Sequence, residues 1–429
     1  MASARHRWKL NRVSTATCMV AMALAAGVGT ATGVGNAGAS ALRTNASATG
    51  SVEVDILGYN TAIETWAKRA MSLWEATKPG FSINIVVQPN DSLLQIETTR
   101  AQAGDPPAIS SLTTAWMPAF AQAGYLDNIR SILPASFISG FNSNLLKVNT
   151  YAGSLNILPY ASSARALFYN KSEFAKAGIM GPPKTWTAFE ADAAKLVKSG
   201  ASKYALSVQG AGSEAFSAWF NYFYWSFGGG YGTSTTTLNL NQKACVSGMT
   251  VMSNLVSSHE VEPDPQTFNA DQELDGFTSG DAAMTITGPW LQGIAGAVKG
   301  LQYGVAPIPA GSTQSTLGVT DGWTVYKGSK ATTAQIRQVL MFLMSPTIEN
   351  NLLTDEGFLP TEQSGFSSPT YKTGNWPIFD SLLPTAKFAP LSSAWDSFST
   401  QAVKVMQTMY VNGASAASVC QSLQGLLAS

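Results

Sequence analysis

From residue 51 to about residue 125, short apolar segments alternate with longer segments of helical periodicity. The short segments predict strands, because runs rich in β-branched residues end at turn residues. Apolar residues three to four positions apart, followed by glycine, predict helices between those strands. Strand and helix alternate three times, which predicts a parallel sheet covered by helices. The strand segments are VEVDILGY, FSINIVVQPN and PPAISSLTT, and the helix segments are TAIETWAKRAMSLWEATKPG, DSLLQIETTRAQAG and AWMPAFAQAGY.

A second unit with the same character begins near residue 182. It predicts a helix in PPKTWTAFEADAAKLVKSG with Thr185 near its cap, the strand KYALSVQG, and the aromatic helix SEAFSAWFNYFYWSFGG. Two more helices, around residues 243–258 and 270–279, precede the strand AAMTIT. Helical patterns then dominate residues 331–344, 345–354, 397–411 and 414–427. The chain therefore predicts two α/β units, each about one domain in size.

The amino-terminal segment has the composition of a secretory signal peptide. The first 12 residues carry four basic side chains and no acidic one, and residues 13–42 carry no charge. Small residues follow the apolar run, so we predict a signal peptide of residues 1–41, cleaved near Ala39 or Ala41, and a linker of residues 42–50. An uncleaved membrane anchor is the alternative. Cys18 lies near the start of the apolar run, which is not the place of a lipoprotein cysteine.

Composition narrows the class of protein. The chain has 429 residues, 45% of them hydrophobic, which predicts a globular protein with more than one core. Only 12% are charged, against roughly 25% in an average soluble protein. Without residues 1–41 there are 26 − 4 = 22 Lys and Arg against 26 Asp and Glu, a net charge of −4. No basic stretch indicates a nucleic-acid partner, and we expect an exported, extracytoplasmic monomer.

The residue types exclude most catalytic chemistry. After the leader the sequence has one histidine, His259, and no G-x-S-x-G segment accompanies it. A catalytic zinc site normally uses two or three His or Cys ligands. There is no phosphate-binding loop, and FGGGYG predicts a flexible turn rather than a dinucleotide fingerprint. We therefore predict no catalytic residue, no metal and no cofactor, which leaves binding without chemistry or a carboxylate-based glycosidase.

Six segments, in order, resemble a known family. They are LTTAWMPAFAQAGYLDNI, LPYASSARALFYNKSEFAKAGIMGPPKTWTAFEA, FTSGDAAMTITGPW, YGVAPIPAG, DGWTVYKGSK and FLMSPTIENNLLTDEGFLPT. With them the chain resembles the extracellular solute-binding proteins of ATP-driven (ABC) sugar importers, in the maltose, trehalose and multiple-sugar branch.

The resemblance implies a two-lobe periplasmic-binding-protein (Venus flytrap) fold of class α/β. It implies that each lobe has a mostly parallel sheet with flanking helices, and that the ligand lies in the cleft on which the hinge closes. It implies crossing segments near residues 160–163, near 318–321 and after Pro360. Lobe I would then comprise residues 51–161 plus 320–362, and lobe II residues 162–319 plus 363–429. The implied partners are a sugar or short oligosaccharide and the membrane permease of the importer.

Candidate ligand-binding residues combine the rule that ligands of open α/β sheets lie beyond the carboxyl ends of the strands with the chemistry of sugar recognition. Aromatic rings cover the apolar faces of a sugar, and carboxylates and amides bind its hydroxyl groups. Asp321, Gly322 and Trp323 combine an acid, exposed backbone and a ring. The first set of candidates is Asn60, Asp91, Trp116, Tyr160, Arg165, Trp290, Asp321, Gly322 and Trp323. A second set is Tyr59, Thr113, Ser163, Trp225, Trp376 and Trp395.

Alternatives stay open for several of these residues. Asp91 is also placed to cap a helix, Arg165 to pair with a structural carboxylate, and Tyr160 to pack in a crossing strand. Asp321 with Asp91 would be the carboxylate pair of a glycosidase. By contrast, the helical spacing of Trp66 and Trp74 predicts that both belong to a core.

The sequence leaves two further questions open. Many members of the family carry Asp where this chain has Thr113 and Ser163, so the exact sugar is open, and a polyol, glycerol phosphate or polyamine is the alternative ligand. A phosphate ligand would call for more Arg or Lys near the strand ends than Arg165 alone. Cys245 and Cys420 lie in helical patterns and are predicted either to form a disulfide in an exported protein or to stay as buried free thiols.

Overall fold

The computed structural model describes residues 50–58, 61–362 and 364–428 of the chain, without the side chains of residues 61, 90, 91, 355 and 428. The predicted signal peptide with its cleavage sites and nearly all of the predicted linker lie outside the described residues. Tyr59, Asn60 and the side chain of Asp91 also lie outside them. Their predicted ligand contacts stay predictions.

Strands and helices alternate along the described chain, as the hydrophobic pattern predicts. The strands are β1 (Ser51–Gly58), β2 (Ser82–Pro89), β3 (Ile109–Thr113), β4 (Thr150–Tyr151), β5 (Ser154–Leu155), β6 (Leu158–Ala164), β7 (Ala166–Asn170), β8 (Tyr204–Leu206), β9 (Ala282–Thr287), β10 (Tyr303–Ala306), β11 (Thr316–Val325) and β12 (Ala386–Lys387). The helices are α1 (Thr61–Ala76), α2 (Asn90–Ala103), α3 (Met117–Gln122), α4 (Ala135–Ile138), α5 (Ser143–Val148), α6 (Lys171–Lys176), α7 (Trp186–Lys198), α8 (Gly212–Ala215), α9 (Asn221–Ser226), α10 (Gln242–Ser257), α11 (Ala270–Thr278), α12 (Leu291–Ala297), α13 (Thr333–Leu343), α14 (Pro346–Glu356), α15 (Trp376–Leu382), α16 (Trp395–Asn412) and α17 (Ala416–Ala428).

The first sheet is built on the amino-terminal unit. β1 pairs in parallel with β2 and β3, while β11 pairs antiparallel with β3 and β6. Trp66 and Trp74 of α1 are buried against this sheet, which confirms their predicted place in the core. The prediction of a parallel sheet covered by helices is thus confirmed for β1, β2 and β3.

The second sheet has the order β10-β7-β9-β8. β8 and β9 are parallel, but β7 runs antiparallel to both β9 and β10. The expectation of a mostly parallel sheet is therefore wrong for this unit. β7 follows β6 of the first sheet after one residue, so the chain enters the second sheet along β7 with no crossover helix before it.

Three segments that the resemblance predicts to cross between lobes lie side by side. β6 and β11 pair over Leu158–Ala164 and Gly318–Trp323. The backbone N–H of Ser162 donates to the carbonyl of Leu359 at 3.0 Å, and the N–H of Leu359 donates back at 2.8 Å. The described chain from residue 50 onward packs as one compact unit, so the lobe boundaries at residues 161, 319 and 362 stay predictions.

The two predicted helix caps have different outcomes in the structure. The Thr185 hydroxyl accepts a hydrogen bond from the Ala188 N–H at 3.2 Å and caps α7, as predicted. Asp91 does not cap α2, because the helix already begins at residue 90 with Pro89 in the cap position. The predicted aromatic helix is one run of α8 and α9 joined by a π-helical turn over Phe216–Phe220.

Cys245 of α10 and Cys420 of α17 form a disulfide, with their Cα atoms 5.9 Å apart. Both residues are fully buried in the core of the second unit. Of the two alternatives for these cysteines, the structure therefore contains the disulfide.

Removing this disulfide is expected to destabilise the protein. The bond joins positions 175 residues apart, so its loss restores much conformational freedom to the unfolded chain. The double variant Cys245→Ala/Cys420→Ala should lose about 3 kcal/mol of unfolding free energy, measured by chemical denaturation. The wild-type protein with reductant serves as a matched comparison. An unchanged unfolding midpoint in both would contradict a formed, stabilising bond.

A buried acidic pair lies beneath α2. Asp55 of β1 and Glu97 of α2 are both fully buried. The Gln88 amide donates to Asp55 Oδ2 at 3.1 Å, and the Arg100 guanidinium lies 3.3 Å from the same oxygen. Ser110 Oγ donates to Glu97 Oε1 at 3.1 Å. Burial, followed by the nearby acidic charge, raises the pKa of both carboxyl groups.

Burial also raises the pKa of other carboxyl groups, and these shifts predict how the stability of the protein changes with pH. Burial raises the pKa of Glu273 to about 7 and that of Glu349 to about 8, against about 4 in an unfolded chain. The folded state therefore binds more protons than the unfolded chain, and stability should fall as pH rises from about 4 to 8.

We expect the unfolding free energy at pH 5 to exceed that at pH 8 by at least about 3 kcal/mol, measured by urea denaturation. Glu97→Gln should flatten the profile, because it removes one titrating group while retaining a neutral polar side chain. A stability that increases from pH 5 to pH 8 would contradict this assignment.

Candidate functional site

A cavity lies at the carboxyl end of β9. Its volume is about 30 Å³, which is room for a few water molecules and well below the about 300–1,000 Å³ of complete ligand sites. This is the edge of the sheet at which the strand-end rule places a ligand. Its lining residues are Arg165, Gln209, Glu214, Ala218, Tyr222, Ala270, Glu273, Leu274, Ile286, Thr287 and Trp290.

Trp290 forms one wall of the cavity, immediately after the Gly288-Pro289 break. A Cβ atom on Gly288 would lie 2.1 Å from the Trp290 ring, so only glycine allows the ring to pack there. The ring centroid is 5.8 Å from that of Phe358, and the ring is half-buried. Trp290 therefore joins the end of β9 to the segment that precedes the third predicted crossing.

Arg165 lies against the Trp290 ring. Its guanidinium carbon is 4.4 Å from the ring centroid, and its Nη1 donates to Ser163 Oγ at 2.8 Å. Its backbone N–H donates to the carbonyl of Leu317 at 3.1 Å, which fixes residue 165 where β6 passes into β7. Three predicted site residues, Ser163, Arg165 and Trp290, are thus brought together.

Two helices supply cavity residues that the sequence analysis did not single out. Burial raises the pKa of Tyr222, and the neighbouring Arg165 charge opposes that rise. Glu273 Oε1 accepts a hydrogen bond from Thr285 Oγ1 at 2.7 Å, and its Oε2 accepts one from Trp219 Nε1 at 3.1 Å. Burial of Glu273 raises its pKa to about 7.

A helical-spacing argument could have found part of this wall. Glu214, Ala218 and Tyr222 are four positions apart, so they share one face of the aromatic helix, and all three line the cavity. Gln209 follows β8 and could have been found by the strand-end rule. Nothing in the sequence marks Glu273, because it becomes a cavity residue only when α11 packs on β9.

Trp323 lies elsewhere, and its predicted contact with ligand is wrong. The residue is 0% exposed, and its ring stacks on Trp66 with the centroids 6.4 Å apart. The Tyr160 ring lies 4.7 Å away on the same indole. The Tyr160 hydroxyl is hydrogen-bonded to Ser111 Oγ at 2.8 Å. Trp323 and Tyr160 therefore form the core of the first unit, because β11 directs residue 323 towards α1.

Gly322 also has a packing role in place of the predicted ligand contact. A Cβ atom there would lie 2.3 Å from Ile157 Cγ2 and 2.4 Å from the carbonyl oxygen of Leu158. The glycine follows an irregularity in the pairing of β11 with β6. Asp321 is buried. The pKa of Tyr160 is raised mainly by the burial of its own side chain and, second, by the charge of Asp321. The cluster Asp321-Gly322-Trp323 thus belongs to the interior of the first unit.

The remaining tryptophans divide between core and surface. Trp225 and Trp395 are buried in the core of the second unit, which contradicts their predicted place in the cleft. Trp376 is half-buried with its ring 5.1 Å from that of Tyr371, and it does not line the cavity. Trp116 is half-buried where β3 passes into α3, away from the cavity lining.

Thr113 is the remaining predicted residue. It is half-buried at the end of β3, and its Oγ1 accepts a hydrogen bond from the Ala115 N–H at 3.1 Å. It does not line the cavity. Ligand contacts of Thr113 and Trp116 across the cleft stay predictions.

Two further observations concern the described part of the chain. None of its helices combines the length and the apolar character needed to cross a bilayer. No group of three or more His, Cys, Asp and Glu side chains within it is arranged to hold a metal ion.

Comparisons with known proteins agree with the fold. A binding protein of Brucella abortus (strain 2308) is 30% identical over 371 residues, covering 86% of this chain and 90% of the relative. The sn-glycerol-3-phosphate-binding periplasmic protein of Rhizobium meliloti (strain 1021) is 28% identical over 232 residues, covering 52% of this chain and 53% of the relative. A maltose-bound structure of T. maritima MalE3 superposes with a TM-score of 0.78 at 18% identity, covering 88% of this chain and 99% of that chain.

The structural match shows the two-lobe α/β fold. The family model described as bacterial extracellular solute-binding protein matches residues 58–349, more than half of the chain. The chain therefore belongs to the family of bacterial extracellular solute-binding proteins.

Proposed function

We propose that this protein is the extracytoplasmic substrate-binding component of a carbohydrate ABC importer. It binds a sugar or short oligosaccharide in the cleft between its lobes and delivers it to the membrane permease by hinge closure. The single observation that carries the proposal is the cavity at the end of β9. There the rings of Trp290 and Tyr222 meet the hydrogen-bonding groups of Arg165, Gln209 and Glu214.

This combination matches the two surfaces of a sugar. Aromatic rings bury its apolar faces, and charged or amide side chains form hydrogen bonds with its hydroxyl groups. Trp290 also touches Phe358 in front of the third crossing segment. A ligand that contacts Trp290 is thereby linked mechanically to the hinge.

The same proposal covers location, partners and activity. The protein is exported by its signal peptide, acts as a monomer, and binds without turnover or cofactor. Family membership supports the extracytoplasmic location and the binding role. Amino-terminal sequencing of the exported protein tests the cleavage site: a new terminus just after residue 39 or 41 is expected, and an intact Met1 would indicate an anchor.

A second candidate ligand is glycerol phosphate. A relative named for sn-glycerol 3-phosphate binding aligns with half of this chain, and Arg165 supplies a cation in the cavity. Glu214 in the same lining can accept hydrogen bonds from the hydroxyl groups of either ligand.

Calorimetric titration with mono- to tetrasaccharides, polyols and sn-glycerol 3-phosphate tests the proposal. We expect at least one saccharide to bind with a Kd in the micromolar range or tighter, without release of products. Because the titrated protein carries no permease, the result reports on this chain alone. Absence of saccharide binding, together with binding of a peptide or metal ion in parallel titrations, would contradict the sugar assignment.

A further inference from the structure

The charge of Arg165 is buried, and no described carboxylate lies within ion-pair distance of it. The residue is only 5% exposed, and a guanidinium stays protonated in proteins. In the part of the chain that the structure describes, the ion pairs involve Arg100, Lys203 and Lys330, and none involves Arg165. Its observed neighbours are the Ser163 hydroxyl, the Tyr222 side chain and the Trp290 ring, none of which carries a negative charge.

These neighbours do not offset the burial of a full charge. A cation–π contact is weaker than the free-energy cost of taking an unpaired ion out of water. Buried charges in proteins are normally paired. Ser163 and Trp290 hold the Arg165 guanidinium in place at the cavity. This arrangement indicates that its counter-charge enters the cavity with the ligand.

The two acids of the cavity do not supply that charge. Both carboxylate oxygens of Glu273 already accept hydrogen bonds, from Thr285 and from Trp219. Glu214 is exposed, so water and salt screen its charge. Among the described residues that line the cavity, Arg165 is thus a buried charge without an ion-pair partner.

We propose that the ligand carries an anionic group, a carboxylate or a phosphate on a hydroxylated carbon skeleton, which pairs with Arg165. The inference rests on the proposed function and names the substrate class of the same site. Trp290 and Ser163 act as positioning residues: they fix the guanidinium so that its remaining N–H groups point to the ligand. A planar guanidinium binds either a carboxylate or a phosphate through two parallel hydrogen bonds.

Matched pairs of ligands that differ only in charge test this proposal by calorimetry. The pairs are D-glucose with D-glucuronate, D-galactose with D-galacturonate, D-glucose with glucose 6-phosphate, and glycerol with sn-glycerol 3-phosphate. We expect the anionic member of at least one pair to bind tenfold or more tightly than its neutral counterpart. The first two pairs report a carboxylate and the last two a phosphate.

Two variants at position 163 test the role of the Arg165 charge from the protein side. Ser163 Oγ lies 2.8 Å from Arg165 Nη1, so Ser163→Asp places an internal carboxylate on the guanidinium. This variant should lose the preference for the anion by at least tenfold and should unfold at the same temperature as the wild type or higher. Ser163→Asn adds similar volume without charge and should retain the preference.

The outcomes separate the two proposals. Tight binding of a neutral sugar with no gain from the anionic group would overturn the anion proposal and leave the proposed function standing. Equal loss of anion binding in Ser163→Asp and Ser163→Asn would assign the effect to shape and would also overturn it. Failure of every ligand in the panel to bind would contradict both.

Discussion

Replacing Trp290 by alanine should weaken binding of the cognate ligand by more than tenfold and also lower the unfolding free energy by about 2 kcal/mol. The affinity falls because the ring forms a cavity wall and holds Arg165 at 4.4 Å. The stability falls because the same ring packs against Phe358 and fills the space over Gly288. Calorimetry and urea denaturation measure the two effects separately.

Trp376→Ala is the matched control. Trp376 is also half-buried and packs against an aromatic neighbour, Tyr371, but it does not line the cavity. Both variants should lose stability, and only the change at Trp290 should reduce affinity. Unchanged affinity in Trp290→Ala would assign this ring to packing alone.

Replacing Trp323 by alanine should produce the largest loss of stability, about 3–5 kcal/mol. The indole is fully buried between Trp66 and Tyr160, and its removal leaves a cavity that the surrounding β-sheet cannot close. Trp66→Ala should have an effect of the same order. A double-mutant cycle between Trp66 and Trp323 should give a coupling of about 0.5–1.5 kcal/mol, measured by chemical denaturation.

This prediction reverses the role that the sequence suggests for Trp323. In Trp323→Phe, which keeps a ring, we expect an intermediate loss of stability and a ligand affinity within about twofold of the wild type. A loss of affinity with wild-type stability would return Trp323 to the binding site.

Hydrophobic periodicity predicts most helices and strands, because a one-sided core imposes the same spacing on every element that packs against it. The same periodicity predicts correctly that Trp66 belongs to the core, because the apolar residues that define the pattern lie on the same helix, α1. Trp323 differs because its environment is set by strands distant in sequence. From the sequence, Gly322 is expected to expose its backbone to a ligand. In the structure, a glycine is required there because Ile157 and Leu158 approach closely.

The candidate site could be predicted where a residue follows a strand directly. Trp290 after β9 is found by that rule, and Arg165, predicted as a polar group for sugar hydroxyls, directly follows β6. Tyr222 and Glu273 are not, because they reach the cavity from helices whose packing on the sheet is a tertiary property. The antiparallel pairing of β7 is not predicted for a related reason: its sheet neighbours, β9 and β10, are distant in sequence.

A crystal structure with the tightest ligand of the calorimetric panel tests the central claim most directly. The account predicts ligand atoms in contact with the Trp290 ring and within hydrogen-bonding distance of Arg165 and Tyr222, in the cavity at the end of β9. A ligand bound only to the other lobe, with this cavity unfilled and Arg165 still packed on Trp290 without a counter-charge, would contradict it.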